Sequence, residues 1–163
     1  MIADIDSKNS QAQRLERVAE QLDALLSQPQ AVQRIKNHPG DGEWSVMQVL
    51  GHLVEMIPYW LDHCRRLVAA SGEPPAFGRN LDAPERLAGV ERGTTGDLAD
   101  LMSQVDYEIQ VAAQTIRQMS SADRLRQGIH SRYGALPVAQ VIEQFIVAHA
   151  EEHLAQIQAA LRE

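Results

Sequence analysis

The chain has 163 residues, a net charge of −7 and a pI near 5.3, with 44% hydrophobic and 23% charged residues. This length suffices for a hydrophobic core, and we expect a single domain over residues 1–163. The acidic balance argues against a nucleic acid partner, which would need clustered Lys and Arg. No apolar run approaches the roughly 20 residues that span a bilayer, so no membrane partner is expected.

The N-terminus is acidic and lacks the basic and apolar regions of a secretion signal. Cys64 is the only cysteine in the chain, which excludes an internal disulfide and is compatible with a reducing compartment. We therefore expect the protein to be soluble and located in the cytoplasm.

Four segments carry apolar residues at helical spacing. The first covers Ser10 to Leu26, and the second runs from Ser45 to Val68, with Ser45 and Gln48 in capping-box spacing. Pro58 interrupts the second segment, so we expect it to bend that helix or to end its first half near Ile57.

The third segment is predicted to start near Thr94 or Thr95, with Asp97 favourably placed in its first turn. The fourth opens at Pro137, a residue suited to the first helical position, and continues to Leu161.

Three connections join these segments, over residues 28–43, 71–93 and 120–136. The second is too long for a simple turn. In the third, the spacing of Ser120 and Asp123 predicts a short capped turn of helix before an extended stretch over 128–134. The sequence thus predicts an all-α fold, a four-helix bundle with one or two long crossover connections.

Three histidines in two of these helices indicate a metal site. His149 and His153 are four residues apart, so their rings lie about 40° apart around the axis and roughly 6 Å along it. Both can reach one ion from the same side, and His52 of the second helix would complete a set of three nitrogen ligands. Such a set leaves coordination positions open, as in reactive rather than structural sites.

A lone histidine on an apolar face is more often a satisfied core residue than a ligand. Here all three histidines fall within apolar stripes, and burying three imidazoles without partners would cost several kcal/mol. A shared ion satisfies them together, and we favour that interpretation.

The other histidines are expected to lie outside the site. His63 is eleven residues after His52, roughly 16 Å further along the helix. His38 precedes Pro39 in a loop and is expected to be solvated. His130 could reach the mouth of a site from its connection, but an exposed loop position is favoured.

Two residues are candidates for catalysis. Glu152 could orient a histidine or act as a base, although a solvated position is slightly favoured. Tyr59 lies on the same strip of its helix as His52. Arg79, Arg86 and Arg92 of the second connection could meet substrate carboxylates, with solvated loop charges as the favoured alternative.

Two motifs form an ordered combination that spans nearly the whole chain. The first is Trp44-Ser45 followed by His52-Leu53 and Trp60, and the second is His149-x-x-x-His153 followed by Gln156-Ile157. Together they resemble the DinB/YfiT-like superfamily of metal-binding four-helix bundles. The resemblance implies that His52, His149 and His153 bind a divalent transition metal, usually zinc or nickel.

The resemblance also implies a class of chemistry. Characterised members include transferases that use low-molecular-weight thiols such as bacillithiol or mycothiol, and a mycothiol-dependent maleylpyruvate isomerase. A metal-dependent thiol transferase or thiol-dependent isomerase acting on a small electrophilic substrate is therefore expected, and pairing of similar bundles implies a homodimer. The alternatives are a metal-dependent hydrolase, with Glu152 assisting, and a non-enzymatic bundle that binds a small ligand or a partner during stress.

Overall fold

The computed structural model describes residues 2–162 of the chain. Its elements, in chain order, are α1 (Ile2–Leu26), α2 (Pro29–Val32), α3 (Val46–Ala69), β1 (Ala76–Phe77), α4 (Pro84–Thr95), α5 (Leu98–Gln118), α6 (Ser121–Leu125), β2 (Gln127–His130), β3 (Gly134–Pro137), α7 (Val138–Val141), a π-helical segment (Ile142–Val147) and α8 (Ala148–Ala160).

The long helices form the predicted four-helix bundle. α1 packs against α5 and α8, and α3 packs against the same two helices. The consecutive long helices α1 and α3 therefore lie diagonally across the bundle, which is why the chain needs crossover connections. Among residues 2–162, the helices lack the combination of length and apolar content needed to cross a bilayer.

The start of α3 agrees with the sequence. The hydroxyl of Ser45 accepts a hydrogen bond from the backbone N–H of Gln48 at 3.2 Å, and the Gln48 side chain accepts one from the Ser45 backbone at 2.9 Å. Pro58 does not end this helix at Ile57, because α3 continues unbroken to Ala69. Burial of Ile57 and Leu61 in the core holds the turns on both sides of the proline.

Two predicted helix starts are wrong. α1 begins at Ile2 rather than Ser10. α5 begins at Leu98, and Asp97 is its N-cap, accepting a hydrogen bond from the backbone N–H of Asp100 at 3.2 Å. Thr94 and Thr95 instead close α4, so a helix occupies much of the second connection.

Glycines let α4 lie directly on α3. A Cβ atom added to Gly51 of α3 would fall 2.5 Å from the backbone nitrogen of Gly93 in α4. One added to Gly93 would fall 2.7 Å from Cα of Gln48. Side chains would separate the two backbones, so glycine is required for this approach. The contact carries the 71–97 connection over the first half of α3.

Two of the connections meet in a small three-stranded sheet, of which only an extended stretch over 128–134 was predicted. β2 and β3 form an antiparallel hairpin, with Gln127 paired to Pro137 and His130 paired to Gly134, and β1 adds in parallel to β2. The capped turn of helix predicted at Ser120 and Asp123 is confirmed as the start of α6.

The fourth long helix is continuous but contains a π-helical segment. The backbone N–H of Ala148 bonds to the carbonyl of Glu143, five residues earlier, as a π-helix requires. From the last residue of this segment onward, the buried positions are Val147, Ala150, Leu154 and Ile157. Because a π-helical turn is wider than an α-helical one, this segment determines the direction in which the side chains of the two histidines of α8 project from the helix.

Candidate metal centre

The bundle brings His52, His149 and His153 together. Each offers one ring nitrogen, and these three nitrogens lie within 4.8 Å of one another. The ring centroid of His52 is 5.6 Å from that of His149 and 4.9 Å from that of His153. Because α3 and α8 pack side by side, the i,i+4 pair of α8 faces the single histidine of α3.

These imidazoles are buried without protein partners for several of their nitrogens. His52 is 1% exposed, and within residues 2–162 neither of its ring nitrogens forms a hydrogen bond. Nε2 of His153 is likewise buried and unpartnered within that range. Unpaired buried polar atoms are costly, so a cluster of three histidines in which two carry such nitrogens fits a divalent transition ion.

The environment keeps the α8 histidines neutral. Burial, with a smaller effect from His153 and His52, lowers the pKa of His149 to about 3. Burial also lowers the pKa of His153 to about 4, although its hydrogen bond to Gln156 opposes that shift. Neutral imidazole is the form that coordinates a metal, so these two ligands are ready at neutral pH without losing a proton.

Two of the histidines have an oxygen acceptor three residues further along their helix. Nδ1 of His153 donates a hydrogen bond to Oε1 of Gln156 at 2.9 Å. Nδ1 of His52 lies 3.6 Å from Oε2 of Glu55. Acceptors at Nδ1 direct Nε2 toward the shared centre, an arrangement common around metal-binding histidines.

Arg79 is paired with Glu55 and lies inside the site, contrary to the expected solvated charge. Its side chain is 7% exposed, and both of its terminal nitrogens bond to the Glu55 carboxylate, one of them at 3.0 Å. Burial opposes ionisation of Glu55, but His52 and Arg79 together hold its pKa below the usual range. The carboxylate therefore stays ionised, with Arg79 as its counter-ion.

Trp44 and Arg86 form the other flank of the site. The Trp44 ring is 5.1 Å from the His52 ring and 6.3 Å from the His153 ring, between centroids. Cζ of Arg86 lies 4.7 Å from the Trp44 centroid, so the guanidinium stacks on the indole. Arg86 is half-buried, whereas Arg92 is exposed as expected.

The remaining histidines lie outside the cluster. His63 hydrogen-bonds through Nδ1 to the carbonyl of Tyr59 at 2.9 Å, and His38 is exposed, as expected. The exposed position expected for His130 is wrong. This side chain is buried in β2, stacks on Phe145 with centroids 5.0 Å apart, and accepts backbone hydrogen bonds through Nδ1.

The two catalytic candidates lie away from the histidine nitrogens. Glu152 is exposed and, within residues 2–162, forms no ion pair, in line with the solvated alternative. Tyr59 packs against Arg79, with 3.9 Å between Cζ and the ring centroid, and against Trp60 and His63. Burial raises the pKa of the Tyr59 hydroxyl.

No role was predicted for Glu55 and Gln156 beside the ligand histidines, and the solvated positions favoured for Arg79 and Arg86 are wrong. Glu55 and Gln156 each follow a ligand histidine by three residues, a spacing that puts both on one helical face. That signal was available in the sequence. The positions of Arg79 and Arg86 depend on the close approach of α4 to α3, for which no local pattern exists.

A four-helix bundle in which α1 and α3 lie diagonally, with three converging histidines, defines a class of protein that can hold a metal ion. A sequence profile described as the DinB superfamily matches residues 11–157, and the chain belongs to that superfamily. Its fold is similar to that of YfiT from Bacillus subtilis, with a TM-score of 0.78, 18% identity, and coverage of 95% of this chain and 86% of YfiT. YfiT is described as a probable metal-dependent hydrolase with an unusual four-helix bundle topology. No protein of curated function matches the sequence significantly.

Proposed function

We propose that the protein binds one divalent transition metal ion, zinc or nickel, through His52, His149 and His153. The convergence of one ring nitrogen from each histidine carries this proposal, together with the buried, unpartnered nitrogens of His52 and His153 within residues 2–162. Three neutral protein ligands leave positions for a substrate, which suits a reactive centre. Elemental analysis of protein purified without a metal-affinity tag should give about one ion per chain, and stoichiometric metal in a triple-alanine variant would refute the assignment.

We further propose that the protein is a metal-dependent thiol transferase or thiol-dependent isomerase acting on a small electrophile. An ion held by the three histidines supplies positive charge that lowers the pKa of a low-molecular-weight thiol. In a substitution, the thiol sulfur forms a bond to an electrophilic carbon while the bond from that carbon to its leaving group breaks. The thiol proton passes to the leaving group or to solvent.

The carboxylates favour thiol chemistry over hydrolysis. Attack by water is assisted by a free carboxylate base near the metal. Within the described residues, Glu55 is committed to Arg79 and His52, and Glu152 is exposed. A thiol has a much lower pKa than water and needs no such base. The site therefore suits a sulfur nucleophile better.

The deciding assay incubates metal-loaded protein with several low-molecular-weight thiols and a model electrophile, and follows adduct formation. We expect a rate that depends on thiol and falls to background in His149→Ala. Product formation without any thiol would favour the hydrolase alternative. Absence of turnover across a broad panel, with metal bound, would favour a ligand-binding or stress-related bundle.

We also expect a homodimer, because symmetric two-fold pairs are the commonest soluble oligomers and similar bundles pair in this way. A monomeric mass by light scattering at micromolar concentration would contradict this.

A further inference from the structure

Arg86 is a cation without a carboxylate partner beside the histidine cluster. Its Nη1 donates to the carbonyl of Leu81 at 2.6 Å, and no ion pair within residues 2–162 includes it. Arg79, by contrast, is neutralised by Glu55 and lies 3.8 Å from a Glu85 oxygen. Most of the donors of the Arg86 guanidinium are therefore free for a ligand.

A single aromatic ring connects Arg86 with the histidines. The guanidinium of Arg86 stacks on the Trp44 indole, with its Cζ 4.7 Å from the ring centroid. The same indole packs against the rings of His52 and His153. Stacking on the indole fixes the plane of the guanidinium, so its free N–H groups are oriented before a ligand arrives.

The charges of the site leave an excess of positive charge. Imidazoles coordinate an ion as neutral groups, and Glu55 and Arg79 cancel each other. A divalent ion and Arg86 then contribute three positive charges, against two negative charges from the Glu85 carboxylate beside Arg79 and from a bound thiol sulfur. A second anionic group on the same molecule would complete the balance, and a carboxylate matches the planar donor fork of arginine.

We propose that Arg86 binds the carboxylate of the substrate thiol, so that the site selects small thiols that carry a carboxylate. This inference rests on the proposed function, because the sulfur of the same molecule would lie at the histidine centre. Arg86 is a specificity residue here. Arg79 and Glu55 are positioning residues, because Arg79 binds the Glu55 carboxylate that lies beside the His52 imidazole.

The test compares two thiols of nearly equal shape, 3-mercaptopropionate and its amide, 3-mercaptopropionamide. Chelator-treated protein is reloaded with Co²⁺, and each thiol is titrated while the thiolate-to-cobalt absorption is recorded. We expect wild-type protein to bind the acid more tightly than the amide. Arg86→Gln should weaken the acid about tenfold or more, as expected for a charge-assisted hydrogen bond, and leave the amide nearly unchanged.

Arg92→Gln is the matched control, because it removes the same charge from an exposed position of the same helix. It should keep the wild-type preference. Arg86→Lys should keep part of it, since the charge remains without the planar fork. Metal content and melting temperature of each variant establish that the fold and the centre persist.

An equal loss of both thiols in Arg86→Gln, no acid preference in the wild type, or the same effect in Arg92→Gln would overturn the proposal. If neither thiol changes the cobalt spectrum, the thiol function fails. In that case, calorimetry with propionate and propionamide on metal-loaded protein tests the role of Arg86. Binding of propionate that Arg86→Gln abolishes would retain the carboxylate subsite, and equal binding by both proteins would refute it.

Discussion

Oε2 of Glu55 lies 3.6 Å from Nδ1 of His52, one turn back along α3, while the same carboxylate binds Arg79 of the following connection. At 3.6 Å the contact with the imidazole is longer than a hydrogen bond, but it is the closest acceptor position for a proton on Nδ1. The pair therefore favours the tautomer in which Nε2 of His52 is free to coordinate.

Glu55→Gln should weaken metal binding by about 10- to 100-fold, because the carboxylate beside Nδ1 orients the imidazole that binds the ion. The measurement is a competition titration against a metal indicator at neutral pH. Glu152→Gln, an exposed change on α8, should leave the affinity unchanged. Equal affinities of the wild type and Glu55→Gln would show that His52 needs no carboxylate to orient it.

His149→Ala should remove most of the metal and leave helical content nearly intact, because His149 contributes a ligand nitrogen from a solidly helical segment. Elemental analysis and circular dichroism of untagged protein check both statements. His63→Ala is the matched control, since that imidazole lies on α3 but hydrogen-bonds to its own helix at Tyr59. Retention of stoichiometric metal in His149→Ala would place the ion elsewhere.

The sequence predicted the local features of this fold well. Ser45 and Gln48 define the start of α3 through their own side chains, and Ser120 and Asp123 do the same for α6. The helical spacing of His149 and His153 also places both rings on one side of α8. Such features depend on residues within about one helical turn of each other, so they can be predicted from the sequence alone.

Long-range packing explains what the sequence did not predict. Residues 71–93 were expected to form a connection, but Gly89 and Gly93 within them belong to α4 and allow its contact with α3. Arg79 was expected to be solvated, because its partner Glu55 lies 24 residues earlier and no local pattern connects the two. The π-helical segment likewise leaves no clear trace in a pattern whose apolar residues fit an ordinary helix.

The metal-free protein should lose stability as the pH falls from about 6.5 toward about 4. Folding lowers the pKa of His149 to about 3 and of His153 to about 4, from 6.5 for an unperturbed histidine. Between these values the unfolded chain binds more protons, so acid favours unfolding. The contribution of both groups is complete above about 6.5 and is lost as the pH approaches the folded-state values.

Urea denaturation of chelator-treated protein at several pH values between 7.5 and 4 would measure this slope. His149→Gln should reduce it, and His38→Gln, at an exposed position, should not. A slope that is the same in wild type and His149→Gln would assign the acid sensitivity to other groups. Added metal should raise the melting temperature at neutral pH and lose this effect in acid, because protons compete for the same nitrogens.

Gly93→Ala should separate α4 from α3 and disturb the carboxylate preference without removing the metal. The added Cβ would fall 2.7 Å from Cα of Gln48, a backbone atom that cannot rotate away. Overpacking costs about 1–3 kcal/mol, which the roughly 1 kcal/mol gained in helix propensity offsets only partly. We expect a net loss of up to about 2 kcal/mol in the free energy of unfolding. Because Arg86 belongs to α4 while the three histidines belong to α3 and α8, the acid preference should fall and metal content should persist.

Ala88→Ser, an exposed change on α4, is the control and should alter neither property. Unchanged stability in Gly93→Ala would mean that the two helices can move apart freely, and the position of Arg86 would then need another support.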